Sequence, residues 1–172
     1  MTMLHIILMS SGYFVVLCIV IYFTRPILRR VVGALAGGAV VVAMMMGAIV
    51  LGEGLGFWRV YFAATPYLMQ LFYVGSAIAN APIFLVTWRV ARRFAWRGLA
   101  VCIGIAAVIG PPRDYLIAGM FPEWMVFAPG IAPILADAVT YAGIVALGHA
   151  VMRLVAGPAT VDRLARTIQE PS

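Results

Sequence analysis

The sequence predicts an all-α membrane protein, a polytopic bundle of five transmembrane helices. Hydrophobic residues make up 65% of the 172-residue chain and charged residues only 10%, whereas soluble domains contain about 25% charged residues. Apolar runs of about the 20 residues that a bilayer-spanning helix needs recur along the chain. All twelve basic residues are Arg. They flank the apolar runs and form no single basic stripe, which argues against a nucleic-acid partner.

Five apolar runs predict the helices in order. Residues 3–23 lack the basic segment and the small-residue cleavage site of a signal peptide, so we expect them to be a retained first span. The second span is predicted over 31–52. The third is predicted over 66–88 and begins with proline, which suits a first helical position. The fourth begins at residue 98, and the fifth runs from about 130 to 152.

The fourth run is interrupted by two prolines. Residues 98–110 would form only about 20 Å of helix, which is too short for a hydrocarbon core of about 30 Å. Read as far as Phe121, the run has spanning length, but it then contains Pro111, Pro112, Arg113 and Asp114. Prolines remove backbone donors and break helices, so we expect the fourth helix to be broken at Pro111-Pro112 and buried against other helices. In the alternative, the helix ends there and the charges lie in an external loop.

The distribution of Arg predicts the orientation. Ten of the twelve Arg residues fall on one side of the five spans, and cytoplasmic loops carry the basic excess. We therefore expect the N-terminus outside and the C-terminus in the cytoplasm. The use of Arg without Lys, with abundant Ala, Gly and Val, suggests a GC-rich bacterial genome, and we therefore expect the protein in a bacterial inner membrane. Residues 1–158 are predicted to form one transmembrane domain, and 159–172 a short cytoplasmic tail that is either an amphipathic helix or a frayed end.

Polar residues of several spans share one depth. Asp137 lies about seven residues inside the outer end of the fifth span, and Arg113 lies at a similar depth in the fourth. Buried charges cost several kcal/mol unless they are paired or hydrated. We therefore predict an Arg113–Asp137 pair in a polar pocket that opens to the outer side. The expected ligand-binding residues are Arg113, Asp114, Asp137, Tyr141, Tyr73, Gln70 and Asn80.

Simpler interpretations remain open for several of these residues. Asp137 could serve only to hold helix register through a hydrogen bond, and the polar stripe with Asn80 could join helices instead of binding a ligand. Gly33 and Gly37 have the GxxxG spacing of a close helix contact, within the chain or between chains. Phe57, Trp58 and Tyr61 form an aromatic set typical of the headgroup level. His149 is expected at the other interface.

Three classes of function are compatible with these features. The first is the binding or translocation of a small solute, ion or proton in the pocket. The second is a noncatalytic subunit or assembly factor of a larger membrane complex, or a homo-oligomer. The third is an enzyme that acts on a lipid or isoprenoid. Hydrolase and nucleotide-binding motifs are absent from the sequence, and the two cysteines lack metal-type spacing. We therefore expect no cofactor and no metal, and the lipid bilayer as the constant partner.

Overall fold

The computed structural model describes residues 3–61 and 66–158. These residues form four helices and one short two-stranded sheet. The predicted tail, 159–172, lies outside the described residues. The elements in chain order are α1 (Met3–Thr24), α2 (Leu28–Gly54), β1 (Trp58–Val60), α3 (Pro66–Met120), β2 (Met125–Phe127) and α4 (Ile131–Ala156). The all-α prediction is confirmed, with the addition of a small antiparallel pairing between β1 and β2.

Three of the helices are long and apolar enough to cross a membrane. They are α2, the Tyr73–Met120 part of α3, and α4, while the part of α1 over Ser10–Thr24 is a shorter apolar helix. Large apolar side chains such as Val108, Leu116 and Val139 face outward, as contact with lipid tails requires. The five separate helices expected from the sequence are not found, because the predicted third and fourth spans form one element, α3.

Helix α3 folds back on itself at Ala95. Its 55 residues would extend about 80 Å if straight, yet the segments on either side of it meet, since the Tyr61 amide donates to the Trp124 carbonyl at 2.9 Å. Ala95 has φ 51° and ψ −141°, a conformation that residues other than glycine rarely adopt. Helix α3 therefore consists of a first arm, 66–94, and a second arm, 96–120, that returns beside it.

The predicted break at Pro111-Pro112 is wrong. In α3 the non-helical dihedral angles occur at Ala95, and the helix continues through both prolines. The fixed φ of proline suits a helix, and backbone groups that lose a partner are tolerated where other helices pack against them. Here the Tyr141 ring of α4 packs directly on Gly110, one residue before the prolines. Arg113 therefore lies in a helix and not in an external loop.

Glycines allow α2 and α4 to pack closely. A Cβ atom at Gly37 would lie 2.6 Å from the Gly148 carbonyl oxygen, and one at Gly33 would lie 3.0 Å from the Met152 carbonyl oxygen. The GxxxG pair thus makes its contact within the chain. The Phe84 ring of α3 fills the space beside Gly148 and is itself fully buried. This packing joins α2, α4 and the first arm of α3 into one core.

Two arginines cap the C-terminal end of α4. The Arg30 side chain is fully buried and donates to the carbonyls of Gly157 and Pro158. The Arg29 Nε atom donates to the Val155 carbonyl at 3.0 Å. The last carbonyls of a helix have no partners within it and carry partial negative charge, so cations there are stabilising. Arg29 and Arg30, which contribute to the predicted orientation, therefore also hold helices together.

Candidate functional site

The helices line a cavity of about 300 Å³, and the β1–β2 sheet contributes Trp58, Val60 and Met125 to its lining. Residues of α1, α2, both arms of α3, and α4 line it, together with Trp58 of β1 and Met125 of β2. Its walls are mainly apolar. The side chains with polar groups in its lining are those of Ser10, Tyr13, Ser76, Asn80, Arg113, Asp114, Asp137, Thr140 and Tyr141, with the indoles of Trp58 and Trp124.

Arg113, Asp114 and Tyr141 form a closed hydrogen-bond network on one wall. The guanidinium of Arg113 donates to Oδ1 of Asp114 from Nε at 3.0 Å and from Nη2 at 2.8 Å. The same Nη2 atom donates to the Tyr141 hydroxyl, which in turn donates to Oδ2 of Asp114 at 2.8 Å. The Arg113 guanidinium also lies over the Tyr141 ring, 5.2 Å from its centroid. Both carboxylate oxygens of Asp114 are therefore occupied.

Asp137 stands outside this network. Asp137 is 7% exposed, and among the described residues its buried Oδ2 atom has no hydrogen-bond partner. In the described part of the chain Arg113 forms its ion pair with Asp114, so the predicted Arg113–Asp137 pair is wrong. The two residues line the same cavity, but depth along a helix says nothing about rotation around its axis. Here the rotation of α4 places Tyr141 in contact with Arg113.

The placement of Asp137 and Tyr141 follows from the helix repeat of α4. Residues four apart lie on one helix face, so the two side chains project from successive turns toward the cavity. Tyr141 can approach α3 because residue 110 is glycine, where a Cβ atom would lie 2.1 Å from the Cδ2 atom of Tyr141. The glycine before the prolines thus positions the hydroxyl that bridges Arg113 and Asp114.

The other predicted binding residues divide into two groups. Asn80 lines the cavity, where its amide nitrogen donates to the Ser76 carbonyl at 2.8 Å. Tyr73 does not line it, because its hydroxyl donates instead to the Ala39 carbonyl of α2 at 2.8 Å. Gln70 is exposed and also lies outside the lining. The polar stripe of the third predicted span is therefore split between the cavity and a contact with α2.

Two tryptophans that the sequence did not single out as binding residues cover the cavity. Trp58 is buried, and its Nε1 atom donates to the Ile49 carbonyl at 3.2 Å. Its indole packs against Gly52, where a Cβ atom would lie 2.1 Å from the ring. Trp124 also lines the cavity, and its buried Nε1 atom has no partner. The sequence signal that could have indicated an inward Trp58 is the glycine six residues before it.

His149 is not part of this site. It is buried in the packing between α4 and α3, with Nδ1 at 3.0 Å from the Thr87 hydroxyl; its expected depth at a membrane interface stays a prediction. Thr87 also donates to the Phe84 carbonyl at 2.9 Å. This contact joins helices at the level of Phe84, away from the cavity.

Comparison of the chain with protein-family models, with curated proteins and with solved structures finds no match in any of the three. The site itself combines an apolar chamber, one compensated ion pair and two polar atoms that have no partner among the described residues, Oδ2 of Asp137 and Nε1 of Trp124. That combination suits a small ligand with an apolar body and a hydrogen-bond donor.

Proposed function

We propose that this protein is a small membrane protein that binds a small solute or ion in the cavity between its helices. One observation carries the proposal: Asp137 lines the cavity, and its buried Oδ2 atom has no hydrogen-bond partner in the part of the chain that the structure describes. An unpaired buried carboxylate is costly, and ionisable groups in membrane helices commonly mark substrate or ion paths. A ligand that supplies a donor to Asp137 would remove that cost.

The walls of the cavity support binding of a small molecule. Ligand sites are concave and mostly apolar, with a few placed polar groups, and have volumes from about 300 Å³ upward. The cavity has a volume of about 300 Å³ and is lined by apolar side chains with one polar wall. The Arg113 side chain on that wall is 55% exposed, so the polar wall extends to the outside of the bundle.

Five membrane crossings are part of the proposal. Each arm of α3 exceeds the ~20 residues needed to cross a bilayer, and the bend between them at Ala95 is flanked by Arg93 and Arg97. The bend and the Arg-capped end of α4 would then lie on the cytoplasmic side, following the positive-inside rule. The cavity and the β1–β2 sheet would lie toward the outside. Bacterial inner-membrane location stays a prediction from composition.

Access from water tests whether a solute can reach the cavity. We would replace Cys18 and Cys102 with Ala, introduce Asn80→Cys, and apply a trimethylammonium methanethiosulfonate to the folded protein in sealed vesicles. Asn80→Cys is expected to react from the outer side, and Ala118→Trp, which fills the cavity, is expected to slow the reaction. The matched control is Ala81→Cys, at a neighbouring residue that is fully buried in helix packing.

The reaction rates of Asn80→Cys and Ala81→Cys decide whether water-borne solutes reach the cavity. If Asn80→Cys reacts no faster than Ala81→Cys in protein that elutes as a single folded species, water-borne solutes do not reach the cavity. The proposed function would then be wrong.

A further inference from the structure

We propose that the ligand of this cavity is an organic ammonium ion, with Asp137 as its counter-ion. This inference rests on the proposed function, because it concerns the same cavity and names the chemical class that occupies it. Three features carry it: the charge balance of the polar wall, the hydrogen-bond groups left over, and the apolar and aromatic lining.

The charge balance leaves one negative charge. Arg113 and Asp114 form an ion pair in which both Asp114 oxygens accept hydrogen bonds, one of them from Tyr141. Asp137 makes no ion pair with Arg113, the only cation that lines the cavity in the described residues. In a site of low dielectric constant a carboxylate without an ion-pair partner either takes up a proton or attracts another cation.

The remaining hydrogen-bond groups favour an ammonium ion over a bare metal ion. Calcium takes six to eight oxygen ligands, and magnesium requires near-octahedral geometry. Among the described residues no group of three or more His, Cys, Asp and Glu side chains is placed to hold a metal ion, and both oxygens of Asp114 already accept hydrogen bonds. A carboxylate oxygen without a partner can accept a hydrogen bond from an N–H donor. An ammonium group carries up to three such donors.

The lining accommodates the organic part of such a cation. Aromatic rings of Tyr13, Trp58, Phe121 and Trp124 line the cavity together with aliphatic side chains. Aromatic faces attract cations and also pack well against apolar groups. A cavity of about 300 Å³ lies at the lower end of the range for ligand sites, so the expected ligand is a small amphiphilic amine.

Three probes that share a phenylethyl group and carry a positive, zero or negative charge test the inference. The probes are 2-phenylethylamine, 2-phenylethanol and 3-phenylpropanoate, titrated calorimetrically into the full chain in lipid nanodiscs, with empty nanodiscs subtracted. The amine is expected to bind about 10-fold to 100-fold more tightly than the alcohol, the range for a hydrogen bond to a charged group. The carboxylate is expected not to bind.

Two variants locate the effect. Asp137→Asn, which keeps the shape and removes the charge, is expected to reduce the affinity for the amine to that for the alcohol. Glu123→Gln is the matched control, because Glu123 is an exposed carboxylate that does not line the cavity, and it is expected to change neither affinity. The amine should also protect Asn80→Cys from the methanethiosulfonate, a measurement that does not depend on the folding of Asp137→Asn.

The outcomes separate the two proposals. Equal affinity for amine and alcohol, or an amine preference that survives Asp137→Asn, would overturn the ammonium inference and leave binding in the cavity intact. If no probe binds while Asn80→Cys still reacts, the ammonium inference is wrong, and the access of solutes to the cavity stands. If Asn80→Cys does not react either, the proposed function fails with it.

Discussion

Replacing Asp137 with Asn is expected to stabilise the ligand-free protein. Asp137 is 7% exposed and its buried Oδ2 atom has no partner. A buried polar group without a partner costs about 1–3 kcal/mol, and more if it is charged. Asn has nearly the same shape and no charge, so Asp137→Asn removes the charged part of this cost and keeps the cost of a buried polar group. We expect the free energy of unfolding to rise by about 1 kcal/mol.

The neighbouring carboxylate provides a control with the opposite sign. Asp114 accepts hydrogen bonds from Arg113 and from Tyr141. The ion pair contributes at most about 1 kcal/mol, because the Arg113 side chain is 55% exposed. The Tyr141 bond contributes about another 1 kcal/mol. Asp114→Asn is therefore expected to lower the free energy of unfolding by about 1–2 kcal/mol.

Steric trapping in bicelles measures the free energy of reversible unfolding, and we would compare both variants with the unmodified chain. The decisive observation is the sign for Asp137→Asn. A loss of stability similar to that of Asp114→Asn would mean that Asp137 makes a structural hydrogen bond that holds α4 in register. The reasoning from an unpaired carboxylate would then be refuted.

Two further predictions concern the bend in α3. Ala95→Gly is expected to raise the free energy of unfolding by about 1 kcal/mol, because glycine adopts positive φ without a Cβ clash. The control Ala100→Gly, in the second arm, is expected to lower it by about 1 kcal/mol. Denaturant unfolding measures both variants, and a loss of stability in Ala95→Gly would contradict the observed bend. Trp96→Cys and Glu123→Cys, in a background without other cysteines, are expected to react with an impermeant thiol reagent from opposite faces of sealed vesicles, because the second arm of α3 separates them. Labelling from the same face would contradict five crossings.

The sequence predicted the approximate level of the polar site but not its pairing. A helix rises by a constant 1.5 Å per residue, so the positions of Arg113 and Asp137 along their helices could be worked out from residue counts. Their partners depend on helix rotation and on which neighbour approaches. Gly110 admits the Tyr141 ring, and this contact brings the Tyr141 hydroxyl, instead of Asp137, to Arg113.

The position of the break in α3 shows a similar limit. Pro111 and Pro112 are the strongest helix-breaking signal in that part of the chain, yet the helix continues through them. The chain turns instead at Ala95, between Arg93 and Arg97, a position in the connection that the sequence predicts between the third and fourth spans. Proline acts locally, whereas the requirement that α3 return toward α4 belongs to the whole bundle. No propensity of alanine would indicate a φ of 51°.

By itself the sequence determined that this chain forms long apolar helices with arginines at their ends, because the composition, the apolar run lengths and the constant helix rise are local properties. Only the tertiary structure decided that Asp137 faces a cavity without a partner, that Trp58 turns inward against Gly52, and that the Gly33–Gly37 pair contacts α4. These outcomes depend on how closely helices approach and how each is rotated. Both are set by the packing of all the elements together, which no single segment encodes.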